Sequence, residues 1–221
     1  MTPDEILDQL KALGTAKVRD LSVRHGAGEN QYGVKLGEIR AIAKRIGVNS
    51  ELAAALWKSG NLDAMLLATL LFRPKEIGPV ELESMVQAVT CSQLADWLTG
   101  YVVKLHPAKE LLRQKWMISN EIMLSRAGWS LTAERIEKDP KGLDLGALLD
   151  RISKEMPDVP VLVQWTMNYC LAEIGIHFAE HRARAISIGE TVGAFRDYPT
   201  PKGCTSPFAP IWIAEMVRRQ Q

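Results

Sequence analysis

The chain has 221 residues, of which 47% are hydrophobic and 24% charged, and its formal net charge is +1. This composition is typical of a soluble globular protein with a substantial core, and the near-neutral charge excludes a protein that attracts nucleic acid over its whole surface. No apolar run is long enough for a membrane span, and the acidic, amphipathic start MTPDEILDQL is unlike a signal peptide.

The sequence predicts helices along its whole length. Thr2-Pro3-Asp4-Glu5 is a capping box with proline at the first helical position, and it begins a helix that Gly14 ends. Periodic apolar residues between glycine and proline signals predict twelve more helices. Their expected ranges are 16–24, 36–46, 50–58, 61–72, 79–89, 92–105, 108–117, 120–137, 143–155, 160–175, 178–193 and 208–219.

No segment shows the sustained alternation of a strand, and the connections look short, so we predict an all-α chain of antiparallel helix pairs. Two architectures fit this pattern, a compact bundle and an α-solenoid. So many short helices favour the solenoid, because each pair buries its face on its neighbours and leaves a concave surface.

A cluster of positive charge follows a glycine turn in QYGVKLGEIRAIAKRIG, residues 31–47. We expect Gly33 to permit the turn and Gly37 to keep the start of the helix small. Arg40 and Lys44 lie four residues apart and share a helix face. Together with Lys35 they are candidates for binding an anion; the alternative is a solvated helix face.

Aromatic residues recur on helices of the second half of the chain. Arg126 and Trp129 lie three residues apart, and Trp165 and Tyr169 lie four apart, so each pair shares a face. Rings beside an arginine could line an amphipathic cleft. The alternatives are that the rings belong to the core, as the apolar stripes suggest for Trp97, Tyr101 and Trp116, and that Arg126 is a surface or ion-paired arginine.

These segments resemble the DNA alkylation repair family, the AlkD-like HEAT-repeat DNA glycosylases. QYGVKLGEIRAIAKRIG is similar to the family's YGV…R.IAK segment, ISNEIMLSRAGWSL to the helix with its phosphate-facing arginine, and WTMNYCLAEIGI to a later helix with a site tryptophan. The resemblance spans roughly residues 30–195 and implies a C-shaped solenoid of HEAT-like helix pairs around duplex DNA. We expect residues 1–221 to form a single domain of this kind. The Pro-rich loop and terminal helix at 197–221 match none of these motifs.

The resemblance assigns roles to individual residues. The arginine falls on Arg126 and the later tryptophan on Tyr169, with Trp129 and Trp165 beside them as further DNA-binding residues. In the segment LADWLTGYVV, Trp97 takes the place of a catalytic tryptophan, but Tyr101 stands where the family has an aspartate. Asp96 is the carboxylate at hand. Two possibilities follow: a divergent glycosylase that uses Asp96 with Trp97, or a DNA-binding relative without the chemistry.

The implied reaction is hydrolysis of the N-glycosidic bond of N3- or N7-alkylated purines in double-stranded DNA, by a monomer without a metal or small-molecule cofactor. Such a purine is already cationic and leaves easily, so the enzyme has to stabilise an oxocarbenium-like sugar. A carboxylate supplies the opposite charge, indole faces favour a cation, and arginine forks or lysine ammonium groups bind phosphate. Lys35, Arg40 and Lys44 would then contact the DNA backbone.

Two other functions compete with this interpretation. HFAEH, residues 177–181, matches the H-x-x-E-H pattern of inverted zincins, in which His177 and His181 would bind zinc. That class also needs a distant glutamate ligand, and only Glu190 and Glu215 follow, so a chance match explains the pattern better. The other alternative is a helical-repeat scaffold that binds a protein partner. The three cysteines are far apart and form no CxxC pair, so we expect reduced thiols in a cytoplasmic protein, with Cys204 in a loop.

Overall fold

The computed structural model describes residues 1–220, which form thirteen α-helices and two short 3₁₀ turns and contain no strand. The helices are α1 Pro3–Leu13, α2 Ala16–Arg24, α3 Leu36–Ile46, α4 Ser50–Lys58, α5 Leu62–Leu71, α6 Pro79–Gln87, α7 Ser92–Tyr101, α8 Lys109–Trp116, α9 Ile122–Lys138, α10 Leu145–Glu155, α11 Val161–His177, α12 Ala179–Val192 and α13 Ala209–Gln220. All thirteen predicted helices are confirmed. No helix within residues 1–220 is long and apolar enough to cross a membrane.

The chain divides into two compact units, residues 1–110 and residues from 111 onward, and the boundary lies within α8. Each unit has its own central helix. The single curved domain expected from the sequence stays a prediction.

In the first unit the central helix is α5, which packs against α3, α4 and α7. Every residue of α5 except Leu70 is buried. A helix that is apolar on all sides must be covered on all sides, so α5 determines where its neighbours lie.

A buried carboxylate connects α5 to the turn before α3. Asp63 is 3% exposed. Its Oδ2 accepts hydrogen bonds from the backbone N–H groups of Tyr32 and Gly33 at 2.6 and 3.1 Å, and its Oδ1 accepts one from Val34 at 3.0 Å. A buried carboxylate is tolerated when donors surround it in this way. The turn at residues 32–34, which precedes the cations of α3, is therefore fixed to the core of the first unit.

In the second unit the central helix is α11, which packs against α9, α10, α12 and α13. Two glycines permit close packing around α13. A Cβ on Gly175 of α11 would lie 2.5 Å from Cδ1 of Ile213, and one on Gly189 of α12 would lie 2.7 Å from Cδ of Pro210. The terminal helix is thus integrated into the core of this unit.

Gly33 and Gly37, the first two glycines of residues 31–47, differ in their surroundings. Gly33 has φ +80°, and a Cβ there would lie 2.5 Å from the Thr15 carbonyl oxygen and 2.6 Å from the Arg19 nitrogen, as expected for a turn that only glycine fits. Nothing lies within 4 Å of a Cβ built on Gly37. The expectation that Gly37 must be small is therefore wrong, since alanine fits there.

We expect Gly33→Ala to lower the free energy of unfolding by about 1–3 kcal/mol or more. Alanine would have to adopt a positive φ there, and its Cβ would clash with backbone atoms. Gly37→Ala is the matched control and should leave stability unchanged or raise it by up to about 1 kcal/mol, because alanine favours the helix. Urea unfolding of both variants measures this. Equal stabilities of the two variants would show that the turn is not rigid.

Candidate nucleic-acid-binding residues

The three cations predicted around α3 are exposed. Lys35 precedes the helix as its N-cap, and Arg40 and Lys44 lie on the helix itself. Within residues 1–220 none of the three side chains forms an ion pair or a hydrogen bond. Arg45, the next cation along α3, differs because its Nη2 donates to Oε1 of Gln9 in α1 at 2.7 Å. The charges of Lys35, Arg40 and Lys44 are therefore available to an external anion.

Arg40 also makes a specific contact with α7. Its guanidinium carbon lies 4.6 Å from the centroid of the Trp97 ring, within the range of a cation–π interaction. Trp97 is 8% exposed and meets Tyr101 edge-to-face at 5.4 Å. Trp97 is thus a core residue with one face covered by arginine. Tyr101, expected in the core, is instead 38% exposed.

Asp96 is exposed and lines a cleft of about 430 Å³ between α2, α5 and α7. This α7 cleft is also lined by His25, Ser92 and Gln93. Adjacent residues on a helix do not share a face, and here Asp96 faces the cleft while Trp97 is buried. The carboxylate and the indole are therefore not brought together as a catalytic pair.

Arg126, which the resemblance expects to face a DNA phosphate, is buried. Its side chain is 3% exposed, and Nη1 donates to the carbonyl oxygen of Leu162 at 2.6 Å. This bond connects α9 to the first turn of α11. The arginine acts in the structure as a link between two helices, and a phosphate could reach it only after the side chain was exposed.

Trp129 shares the buried face of Arg126, as the spacing predicted, but this face is directed into the core. The ring is 1% exposed and has the guanidinium of Arg151 5.1 Å from its centroid. Its backbone carbonyl accepts a hydrogen bond from Sγ of Cys170 at 3.1 Å. In this conformation the ring cannot touch DNA.

Trp165 and Tyr169 belong to a larger aromatic cluster in the second unit, which we define as Trp165, Tyr169, Tyr198 and Trp212. Ring centroids lie 6.4 Å apart for Trp165–Tyr169, 5.6 Å for Trp165–Tyr198 and 4.6 Å for Tyr169–Trp212. Tyr169 is 37% exposed and Trp165 is half-buried. Both rings therefore keep part of their surface exposed.

The histidines of HFAEH do not form part of a metal cluster in the described chain. Nε2 of His177 lies 3.0 Å from Oε2 of Glu173, one turn earlier on α11. Nowhere in residues 1–220 do three or more His, Cys, Asp or Glu side chains come together as a possible metal site. The H-x-x-E-H match therefore has no third ligand in this range.

Comparison with known proteins gives the family. The family model of the DNA alkylation repair enzymes matches residues 6–210. The chain belongs to this family. A solved structure described as "a new family of proteins related to the HEAT-like repeat DNA glycosylases with affinity for branched DNA structures" is similar to it, with a TM-score of 0.82 and 22% identity over 100% of this chain and 95% of that chain.

This structural likeness confirms the predicted all-helical fold of the HEAT-like repeat glycosylases. No curated protein matches the chain. The resemblance that the sequence motifs predicted is thus confirmed at the level of family and fold, while the roles of Asp96, Trp97 and the DNA-binding residues stay predictions.

Sequence reasoning missed two members of the aromatic cluster. Tyr198 lies in the Pro-rich segment and Trp212 in α13, 43 residues after the Tyr169 ring that it touches. The only local signal was the density of aromatic residues in RDYPTPKGCTSPFAPIWI. On α13, three residues after Trp212, hydrogen bonds from Arg218 and Arg219 lower the pKa of Glu215 to about 2, so this carboxylate stays ionised at neutral pH.

For this family member we expect Arg126→Ala to lower the free energy of unfolding by about 1–3 kcal/mol, because it deprives the half-buried Leu162 carbonyl of a charged donor. The matched control is Arg184→Ala, which removes an exposed ion pair with Asp150 and should cost less than about 1 kcal/mol. Denaturant unfolding compares the two. A loss for Arg126→Ala no larger than the control would contradict the linking role.

Proposed function

We propose that this family member binds duplex DNA and excises N3- or N7-alkylated purines. One observation carries the proposal, the match of the DNA alkylation repair family over residues 6–210, which spans both compact units. The structure supports it with exposed cations and an exposed carboxylate in the first unit.

DNA binding is supported by the state of the α3 cations. Lys35, Arg40 and Lys44 are exposed and have no acidic partner within the described residues. A free cation that neutralises a phosphate releases a counterion from DNA, which favours binding. Arg40 has a further advantage, since stacking on Trp97 holds its planar fork in one place. Less side-chain freedom is then lost when it donates to a phosphate.

The excision step depends on Asp96 more than on Trp97. The face of the Trp97 ring is already covered by Arg40, and the ring is almost fully buried. Asp96 is exposed in the α7 cleft, where a sugar could approach its carboxylate. A negative charge at that point would stabilise the positive charge that develops on the sugar as the cationic base leaves. Asp96 would act electrostatically, without forming a bond to the sugar.

A second candidate function is DNA binding without catalysis. Tyr101 stands where the family resemblance places a catalytic aspartate, and Asp96 lies on a different face of α7 from Trp97. The similar solved structure has affinity for branched DNA. If the chemistry is absent, this chain would bind DNA of that kind through the same α3 cations.

We expect purified protein to release free 7-methylguanine or 3-methyladenine from methylated duplex DNA, and Asp96→Asn to slow release by about 10²–10³-fold. DNA affinity, measured on the same samples, should be unchanged. Asp158→Asn, another exposed aspartate, is the control and should be fully active.

The outcomes separate the two functions. Binding by the parent without release of base would favour the non-catalytic alternative. Release that Asp96→Asn does not slow would remove Asp96 from the site, and failure of the parent to bind any DNA would contradict the whole proposal.

A further inference from the structure

The aromatic cluster borders a cavity of about 320 Å³ in the second unit. Its four rings touch in the order Tyr198, Trp165, Tyr169 and Trp212, so they form one continuous wall. The rest of the lining comes mainly from the loop 199–207. We call this cavity the aromatic pocket. Its volume falls at the lower end of the range of small-ligand sites.

Two rings of the aromatic pocket are exposed to solvent. Tyr198 is 47% exposed and Tyr169 is 37% exposed. The core of the second unit is filled by other residues, among them Trp129, Leu149 and Leu171. Trp212 also packs against that core, whereas the two tyrosines present exposed ring surface beside the cavity that a flat ligand could cover.

The chemistry of the lining favours a planar ring. Among residues 1–220, no side chain with a formal charge lines the pocket. Its polar groups are the hydroxyls of Thr200, Thr205, Ser206 and the tyrosines, the indole N–H groups of the tryptophans, and the Cys204 thiol. Aromatic walls with a few hydroxyls suit a nucleobase, which stacks through its face and forms hydrogen bonds through its edge. A free phosphate or a carboxylate would find no cation within the lining.

A cation nevertheless lies directly behind the lining. Nη2 of Arg219 donates to Oγ1 of Thr205 at 3.3 Å, and Arg218 and Arg219 together share the single carboxylate of Glu215. This group of three side chains carries a net charge of +1. An uncharged pocket next to a net positive charge matches a base that remains attached to its phosphate backbone.

The pocket is held open by the fold. Nδ2 of Asn168, on α11, donates to the carbonyl oxygen of Pro207 at 2.8 Å. Next to it Phe208 is buried, with the guanidinium of Arg196 4.5 Å from its ring centroid. Prolines at 199, 201 and 207 restrict the loop further. A ligand would therefore meet a pocket that is already formed, with little ordering cost.

We propose that the aromatic pocket binds a single unpaired nucleobase of DNA. This inference rests on the proposed DNA binding and extends it, because paired bases in a duplex are not accessible to a pocket. The base would come from a bulge, an end or a branch point, where stacking is already interrupted and extrusion is cheap. The pocket would thus let the protein recognise a structural discontinuity in DNA independently of the chemistry at Asp96.

The test compares three DNAs of the same length at one salt concentration: a fully paired duplex, a duplex with a single bulged adenine, and a duplex with an abasic bulge. The two bulges distort the backbone alike and differ only in the base. We expect the protein to bind the adenine bulge about 5- to 100-fold more tightly than the abasic bulge, as base–aromatic stacking predicts. Fluorescence anisotropy titrations measure the three affinities.

Variants of one ring show whether the preference arises in the pocket. Tyr198→Ala should lose most of the preference and still bind the paired duplex as well as the parent. Tyr198→Phe keeps the ring and should keep the preference. Trp165→Leu is a second variant, which removes the ring that Tyr198 contacts. Thermal melting of each variant verifies that it is folded.

Equal affinities of the parent for the two bulges would overturn the inference, as would a preference that survives in both Tyr198→Ala and Trp165→Leu. Either result with normal binding of paired DNA leaves the proposed function intact. No binding of any of the three DNAs overturns the proposed function and this inference with it. Tight binding of a proline-rich peptide that depends on Tyr198, without a base preference, would assign the pocket to a peptide and also overturn the inference.

Discussion

The carboxylate of Asp63 is the interaction on which the arrangement of the first unit depends. It is buried at the start of the central helix α5, where the helix N-terminus favours negative charge, and it accepts three backbone N–H groups from residues 32–34. Two further bonds support the same junction: the Leu62 amide donates to the carbonyl of Asn30, and the Thr15 amide donates to the carbonyl of Gly33. One side chain in the core therefore fixes the turn from which α3 starts.

This constraint has a functional consequence because α3 carries the unpaired cations. With its start fixed, α3 packs on α5 so that Arg40 lies over Trp97 of α7, and Lys44 follows on the same face of the helix. The second unit uses its own central helix in a comparable way. Near its start α11 accepts the hydrogen bond of Arg126 through the Leu162 carbonyl, and it presents Trp165 and Tyr169 to the aromatic pocket. In each unit a buried helix thus positions residues that remain exposed.

The sequence predicted the helices well because their limits are set by local signals. The Thr2 capping box, the glycine after α3, the proline that begins α6 and the proline before α11 act within a few residues of the helix ends. The direction of a helix face depends instead on residues far away in sequence. Spacing correctly placed Arg126 and Trp129 on one face, yet it could not show that this face is buried under α11, and it placed Tyr101 in the core although the ring is exposed. The anchoring role of Asp63 and the contact between Tyr169 and Trp212 were missed for the same reason.

If the α3 cations bind DNA phosphates, as we propose, the salt dependence of duplex binding has to change when one of them is removed. The measurement is the slope of log K against log salt concentration for the parent, Arg40→Ala and Arg45→Ala. Both variants remove one charge from α3, but the Arg45 side chain donates to Gln9, whereas Arg40 has no ion-paired or hydrogen-bonded partner within residues 1–220. We expect a slope smaller by about one for Arg40→Ala and a nearly unchanged slope for Arg45→Ala. Identical slopes for all three proteins, or binding that does not depend on salt, would contradict it.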